Sequence, residues 1–189
     1  MGQSIRERAD TIGTFRYISV FLMETLARWV PTTQELEVKV LFGRHVWDFA
    51  QHADALGRRT HELRAALHYT LPPTKPYLHV LDTVSALEGS ADRVAAVYDA
   101  LIPELASRYE RYLEETDRML DEPSVRIIER NLADFPRLSR ERLEFVAEAP
   151  ALPPGDPKLA ARIRTEAAGI ASFVAVRAAQ SPAASAVAG

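Results

Sequence analysis

Val38-Lys39-Val40-Leu41-Phe42-Gly43-Arg44-His45-Val46-Trp47-Asp48-Phe49-Ala50-Gln51-His52-Ala53-Asp54-Ala55-Leu56 is the stretch on which the reading of the chain turns. Val38, Leu41/Phe42, His45, Phe49, His52 and Leu56 recur at intervals of three and four residues. That is the spacing of one helical face, not the alternation of a strand. Two histidines seven residues apart lie on that otherwise apolar stripe. The segment is an amphipathic helix with a polar interruption in its buried face.

The same period holds outward in both directions. Residues 4–30 form a first helix with Phe15, Ile18, Phe21/Leu22, Thr25/Leu26 and Trp29 on one side, ended by Pro31. Thr32 with Glu35 reads as a capping box opening the second helix, which runs to about residue 67. Prolines 72, 73 and 76 make residues 69–75 a loop, and a short helix over 77–87 precedes Gly89-Ser90. Ser90 caps a third helix over 91–120, with Val94, Val97/Tyr98, Leu101, Leu105, Arg108/Tyr109 and Tyr112 as its stripe. Asp121-Glu122-Pro123 opens a fourth helix, with Asp121 as cap. Val125, Ile128, Leu132 and Phe135 line it, and Pro136 should kink or break it before it ends near residue 148. Residues 149–156 are a Pro-rich linker, residues 157–179 a fifth helix packed on the bundle, and residues 180–189 a small, polar, disordered tail.

The fold class is therefore all-α, with residues 1–148 as a four-helix bundle. Short turns join helices one to two and three to four, which makes each pair an antiparallel hairpin. More than twenty residues separate the pairs, enough for one long crossover. Two hairpins with one crossover describe the ferritin-like topology.

The segment 43–53 resembles the second-helix motif of ferritin-like di-iron carboxylate proteins, a Trp-Asp-Glu-Ala-x-His-Ala run that places Glu-x-x-His in the bundle core. The segment 120–128, Leu-Asp-Glu-Pro-Ser-Val-Arg-Ile-Ile, is similar to the fourth-helix start of bacterial members, which leads into a second Glu-x-x-His. The resemblance covers residues 1–148. It implies six ligands to two iron or manganese ions, with Glu and His three apart on one helical face. Carried over by position, His52 matches the histidine but Phe49 stands where the glutamate belongs. Glu24 takes the first-helix carboxylate position and Glu104 that of the third. On the fourth helix Asp134 replaces glutamate and Arg137 replaces histidine. The resemblance thus implies a degenerate site: no metal, or one divalent ion (Fe or Mn) held by Glu24, His52, Glu104 and Asp134.

On that reading His52, Glu24 and Glu104 are the candidate catalytic groups, and His45, Phe49, Tyr98 and Tyr109 line a substrate space. Each also has a plainer reading. His45 and the tyrosines read as core residues, Asp48 as a partner of Arg44 or an orienter of His52, and Arg58-Arg59 as a solvated face. Two functions follow: an oxidoreductase or related enzyme of small-molecule metabolism, or an accessory or ligand-binding subunit that has lost its metal. The expected partners are a small-molecule ligand and either a second copy or another protein.

Composition bounds the alternatives. Of 189 residues, 23 are Lys or Arg and 26 Asp or Glu, a net charge of −3 with no basic field for nucleic acid. With no cysteine, disulfide scaffolds, thiolate metal sites and cysteine nucleophiles are excluded. Neither a nucleophile elbow nor a glycine-rich phosphate loop occurs. The apolar run 18–23 is too short for a membrane span and is followed by Glu24. No signal peptide or myristoylation pattern is recognisable, so the expectation is a cytoplasmic protein.

Overall fold

The computed structural model describes residues 3–175, and every regular element among them is helical. They are α1 (Ile5–Trp29), a 3-10 turn (Val30–Thr32), α2 (Leu36–Glu62), α3 (Lys75–Ser85), α4 (Ser90–Val94), a π-helical segment (Ala95–Leu101), α5 (Ile102–Glu115), α6 (Glu122–Ala147) and α7 (Leu159–Ala168). α4, the π segment and α5 run on as one rod. That rod, α1, α2 and α6 are the four long helices.

Contacts at the two ends give the chain path. α1 and α2 pack along their lengths, with Trp29 against Phe42 at one end (ring centroids 5.8 Å apart). At the other end the loop after α2 lies over the start of α1, where the Leu71 amide donates to the Gly13 carbonyl at 3.2 Å. The rod begins back at the Trp29 end: Arg93 stacks over Trp29 at 5.2 Å and donates to Thr32 at 2.9 Å. The connection between α2 and α4 therefore travels the length of the bundle, carrying α3 with it. α5 then descends beside α1, with Tyr109 edge-on to Phe15 at 4.6 Å. α6 returns antiparallel to α2. One apolar core joins all these elements, including α7.

Several boundaries differ from the sequence expectation for identifiable reasons. α2 stops at Glu62 rather than near residue 67. Arg64 and His68 adopt left-handed backbone (φ 62° and 56°), folding the loop back over Gly57 and Gly13. A side chain at Gly57 would meet the His68 ring at 2.2 Å, and one at Gly13 the Tyr69 ring at 2.9 Å. Thr32 and Glu35 do not form a capping box. Thr32 and Thr33 instead donate to the Trp29 carbonyl at 3.2 and 2.9 Å, finishing α1, while α2 starts without a side-chain cap. The box that does form is Ser4 with Glu7.

The third helix ends at Glu115, not near residue 120, and Pro136 does not break α6. Pro136 is exposed, and buried Phe135 and Leu138 on either side anchor the helix through it. The fifth helix is only α7, packed on the π segment, α3 and α5. Beyond it the chain is extended, with the Thr74 amide donating to the Phe173 carbonyl at 2.9 Å. Residues 176–179 of the expected helix and the expected tail lie outside the described residues.

Candidate functional site

The polar groups of the bundle gather along the seam between α2 and α6. His45 and His52, seven apart on α2, face Glu141 and Asp134, seven apart on α6. His45 Nε2 lies 3.2 Å from Glu141 and its Nδ1 2.7 Å from the Tyr98 hydroxyl. His52 Nε2 lies 2.9 Å from Asp134. Burial lowers both histidine pKa values, outweighing the carboxylates that would raise them, so each ring is neutral near pH 7. A carboxylate can only accept, which fixes the tautomer: Nε2–H donates in both rings. Tyr98 then donates to His45 Nδ1. The equal seven-residue spacing on two antiparallel helices is what lets both histidines find a carboxylate at once.

Arg137 ties the two pairs together. Its guanidinium contacts Asp48 at 2.5 Å, Glu141 at 3.1 Å and Asp134 at 3.3 Å. Hydrogen bonds to Asp48, and then to Glu141 and Asp134, raise its pKa still further. Burial works against the Asp134 and Glu141 carboxylates, but the bonds from their histidines and from Arg137 hold both pKa values below the usual range. The result is a continuous chain of partners from Tyr98 through His45, Glu141, Arg137 and Asp134 to His52. Tyr98 enters it from the π segment, where the Ile102 amide bonds five residues back to Val97. The extra residue in that turn precedes Pro103, whose ring would otherwise meet the carbonyl four residues earlier.

The remaining candidate residues are elsewhere. Glu24 is exposed: it falls between the inward Leu22 and Thr25/Leu26 and points to solvent, so it is a ligand to nothing in the interior. Glu104 is buried, but on the face of α5 toward α3 and α7. There it accepts from Tyr77 and pairs with Arg108. Arg108 in turn donates to the Ala167 and Ile170 carbonyls at 2.9 and 3.2 Å and lies 4.5 Å over the Phe173 ring. Glu104 thus belongs to the anchor that holds the end of α7. Phe49 is fully buried and edge-on to His52, and Phe135 stacks on Tyr109. These rings pack together in the buried interior of the bundle.

Of the four residues implied as metal ligands, only His52 and Asp134 come together. The donor set does not fit a metal ion. Phe49 supplies no oxygen, Glu24 and Glu104 face away, and the Asp134 carboxylate is already engaged by a guanidinium. Among the described residues no group of three or more His, Asp or Glu side chains is arranged to hold an ion.

Two features escaped the sequence. Asp121, expected as a helix cap, is fully buried and accepts from Arg59 (2.9 Å), Ser124 (2.7 Å), Thr116 (3.0 Å) and Tyr112. Burial opposes its charge, but these donors hold its pKa low. Arg59 is accordingly interior, while its neighbour Arg58 is exposed and pairs with Asp54 at 3.0 Å. The signal was available in the helical phase: Arg59 falls seven residues after His52 and on the same stripe.

The second feature is a set of buried atoms at the bundle centre without partners: His52 Nδ1, Asn131 Nδ2 and the Tyr109 hydroxyl. Burial raises the Tyr109 pKa to about 12, moderated by nearby Ser19 and Asn131. Ser19, His52, Tyr109 and Asn131 come one from each long helix. On the outside of the same seam a groove of about 510 Å³ is lined by Trp47, Asp48, His52, Arg58, Arg130 and Asp134, among others. Its acidic groups are neutralised internally by Arg58 and Arg137, while Arg130 makes no ion pair among the described residues.

Compared with known proteins, the chain matches no family model, no curated protein and no solved structure.

Proposed function

We propose that this chain is a metal-independent bundle of ferritin-like descent that works by binding, as a ligand-binding or accessory protein, not by metal-based oxidation. The observation that carries the reading is Arg137. Its fixed positive charge lies among Asp48, Asp134 and Glu141 at the level where the resemblance requires a cation, so the guanidinium does the electrostatic work of an ion. The long crossover and the antiparallel hairpins support ferritin-like descent.

The histidines support the same conclusion. A general base needs a free nitrogen within reach of a substrate proton. His52 Nε2 is committed to Asp134 and its Nδ1 is buried, while both nitrogens of His45 are bonded inside the seam. What the seam offers a ligand is its outer groove, with the Trp47 ring at the rim and the Arg130 charge beside it. Those groups suit a small organic anion with a planar face. Thermal-shift and NMR titration with benzoate, beside inorganic phosphate as a control for charge alone, tests this. Benzoate should stabilise the protein and perturb Trp47, and Arg130→Ala should lose both effects. A response to neither anion would leave the accessory-protein form of the reading in place of the ligand-binding one.

A further inference from the structure

A folded chain keeps its buried polar atoms hydrogen-bonded, because an unpaired one has given up its bonds to solvent for nothing. At the centre of this bundle three atoms stand outside that rule together: His52 Nδ1 on α2, Asn131 Nδ2 on α6 and the Tyr109 hydroxyl on α5. Their residues are 3%, 1% and 0% exposed, so bulk solvent does not serve them.

Their neighbours put them side by side. The rings of Tyr109 and His52 both pack on Phe135, with centroids 5.9 and 6.0 Å from it. Asn131 lies one turn before Phe135 on the same side of α6. His52 and Asn131 line the same outer groove, and the Tyr109 hydroxyl has Asn131 and, from α1, Ser19 beside it. Asn131 therefore stands between the α2–α6 seam and the far side of the bundle.

The chemistry of the three atoms defines what satisfies them. With Nε2–H given to Asp134, His52 Nδ1 offers only a lone pair. The Asn131 amide nitrogen offers only hydrogens, and the Tyr109 hydroxyl can donate or accept. An anion would be repelled by the histidine lone pair, and a metal ion by the amide hydrogens. The group that fits must donate and accept at once, and it must be small, because Phe49, Phe135 and Tyr109 fill the space around it. Water meets both conditions, and immobilising one molecule costs less than leaving three buried groups unpaired.

We infer that His52, Asn131 and Tyr109 hold one internal water, which donates to His52 Nδ1, accepts from Asn131 Nδ2 and bonds the Tyr109 hydroxyl. Three hydrogen bonds are the ordinary complement of a buried water. The chain of partners that starts at Tyr98 then continues past His52 to α5, so one polar network crosses the core. The inference is independent of what the outer groove binds.

A crystal structure of the full chain, at a resolution that shows ordered water, tests it. The wild type should show one density peak within about 2.7–3.2 Å of all three atoms. In solution at neutral pH, the 15N resonance of His52 Nδ1 should lie upfield of a bare imidazole lone pair, as hydrogen bonding requires. Asn131→Leu keeps the bulk and removes the donor; it should lose the peak and move Nδ1 back downfield. Tyr109→Phe, which keeps the ring, should weaken or lose the peak and serves where Asn131→Leu does not fold. A wild type in which the three groups bond one another directly with no peak between them, or a peak unchanged in a folded variant, overturns the inference.

Discussion

At the residue scale, one guanidinium decides how the seam is charged. Asp134 and Glu141 have lowered pKa values, so the stability they contribute is present above the ordinary carboxylate range and is lost as pH falls through their folded values. Arg137→Met removes the partner they share. We expect it to lower the melting temperature most near pH 7, with the deficit shrinking as pH falls through the ordinary carboxylate range and vanishing only below the lowered folded values, where the carboxylates are protonated in both proteins. The histidines act over a higher window. Their folded pKa values lie below the unfolded value of 6.5, so their contribution is full above that pH and declines as the medium is acidified through it. Calorimetry between about pH 7.5 and 5.5 should show a falling melting temperature, and His45→Gln/His52→Gln should flatten the fall. Asp121 gives a third case. Asp121→Ala leaves the buried Arg59 with only the exposed Glu62 as ion partner, at 2.8 Å, and strands the hydroxyls of Tyr112 and Thr116; it should cost about 3 kcal/mol in chemical denaturation.

The same scale shows what could be read from sequence. The resemblance put His52 and Asp134 together only as two ligands of one ion; in the structure they meet directly, as a hydrogen-bonded pair. Glu24 failed because one residue of helix is 100° of rotation: a carboxylate among apolar neighbours looks inward until the phase of Leu22 and Leu26 is known. Glu104 was right about burial and wrong about direction, since the sequence does not say which neighbour each buried face of a rod meets.

At the scale of elements, packing overrides the local signals. Pro136 reads as a breaker, yet α6 is continuous because Phe135 and Leu138 hold both sides. The missing amide bond remains a cost. Pro136→Ala on this exposed position should therefore stabilise the protein by about 1–3 kcal/mol, measured by urea denaturation, without altering the fold. The two threonines after Trp29 illustrate the reverse: the capping chemistry was legible, but it closes α1 instead of opening α2. Helix existence was clear from periodicity; ends were not, because they depend on what the next loop packs against. The shortening of α7 has the same origin. Phe173 is drawn to the Arg108 guanidinium and the Tyr77 ring as extended chain, which a longer helix would have carried away.

At the scale of the whole molecule, the long connection between α2 and α4 sets the relation of the four helices: neighbours antiparallel, the α2–α6 seam facing one side and α7 covering the other. The length of that connection was visible in the sequence, and so was the all-helical class. The central claim is that a guanidinium has taken the place of a metal ion in a bundle of this shape. Isothermal titration of the full chain with Mn(II), and with Fe(II) under anaerobic conditions, tests it most directly. The expected result is no saturable binding and an unchanged melting temperature. One or two equivalents bound, with the binding lost in His52→Ala, would contradict it.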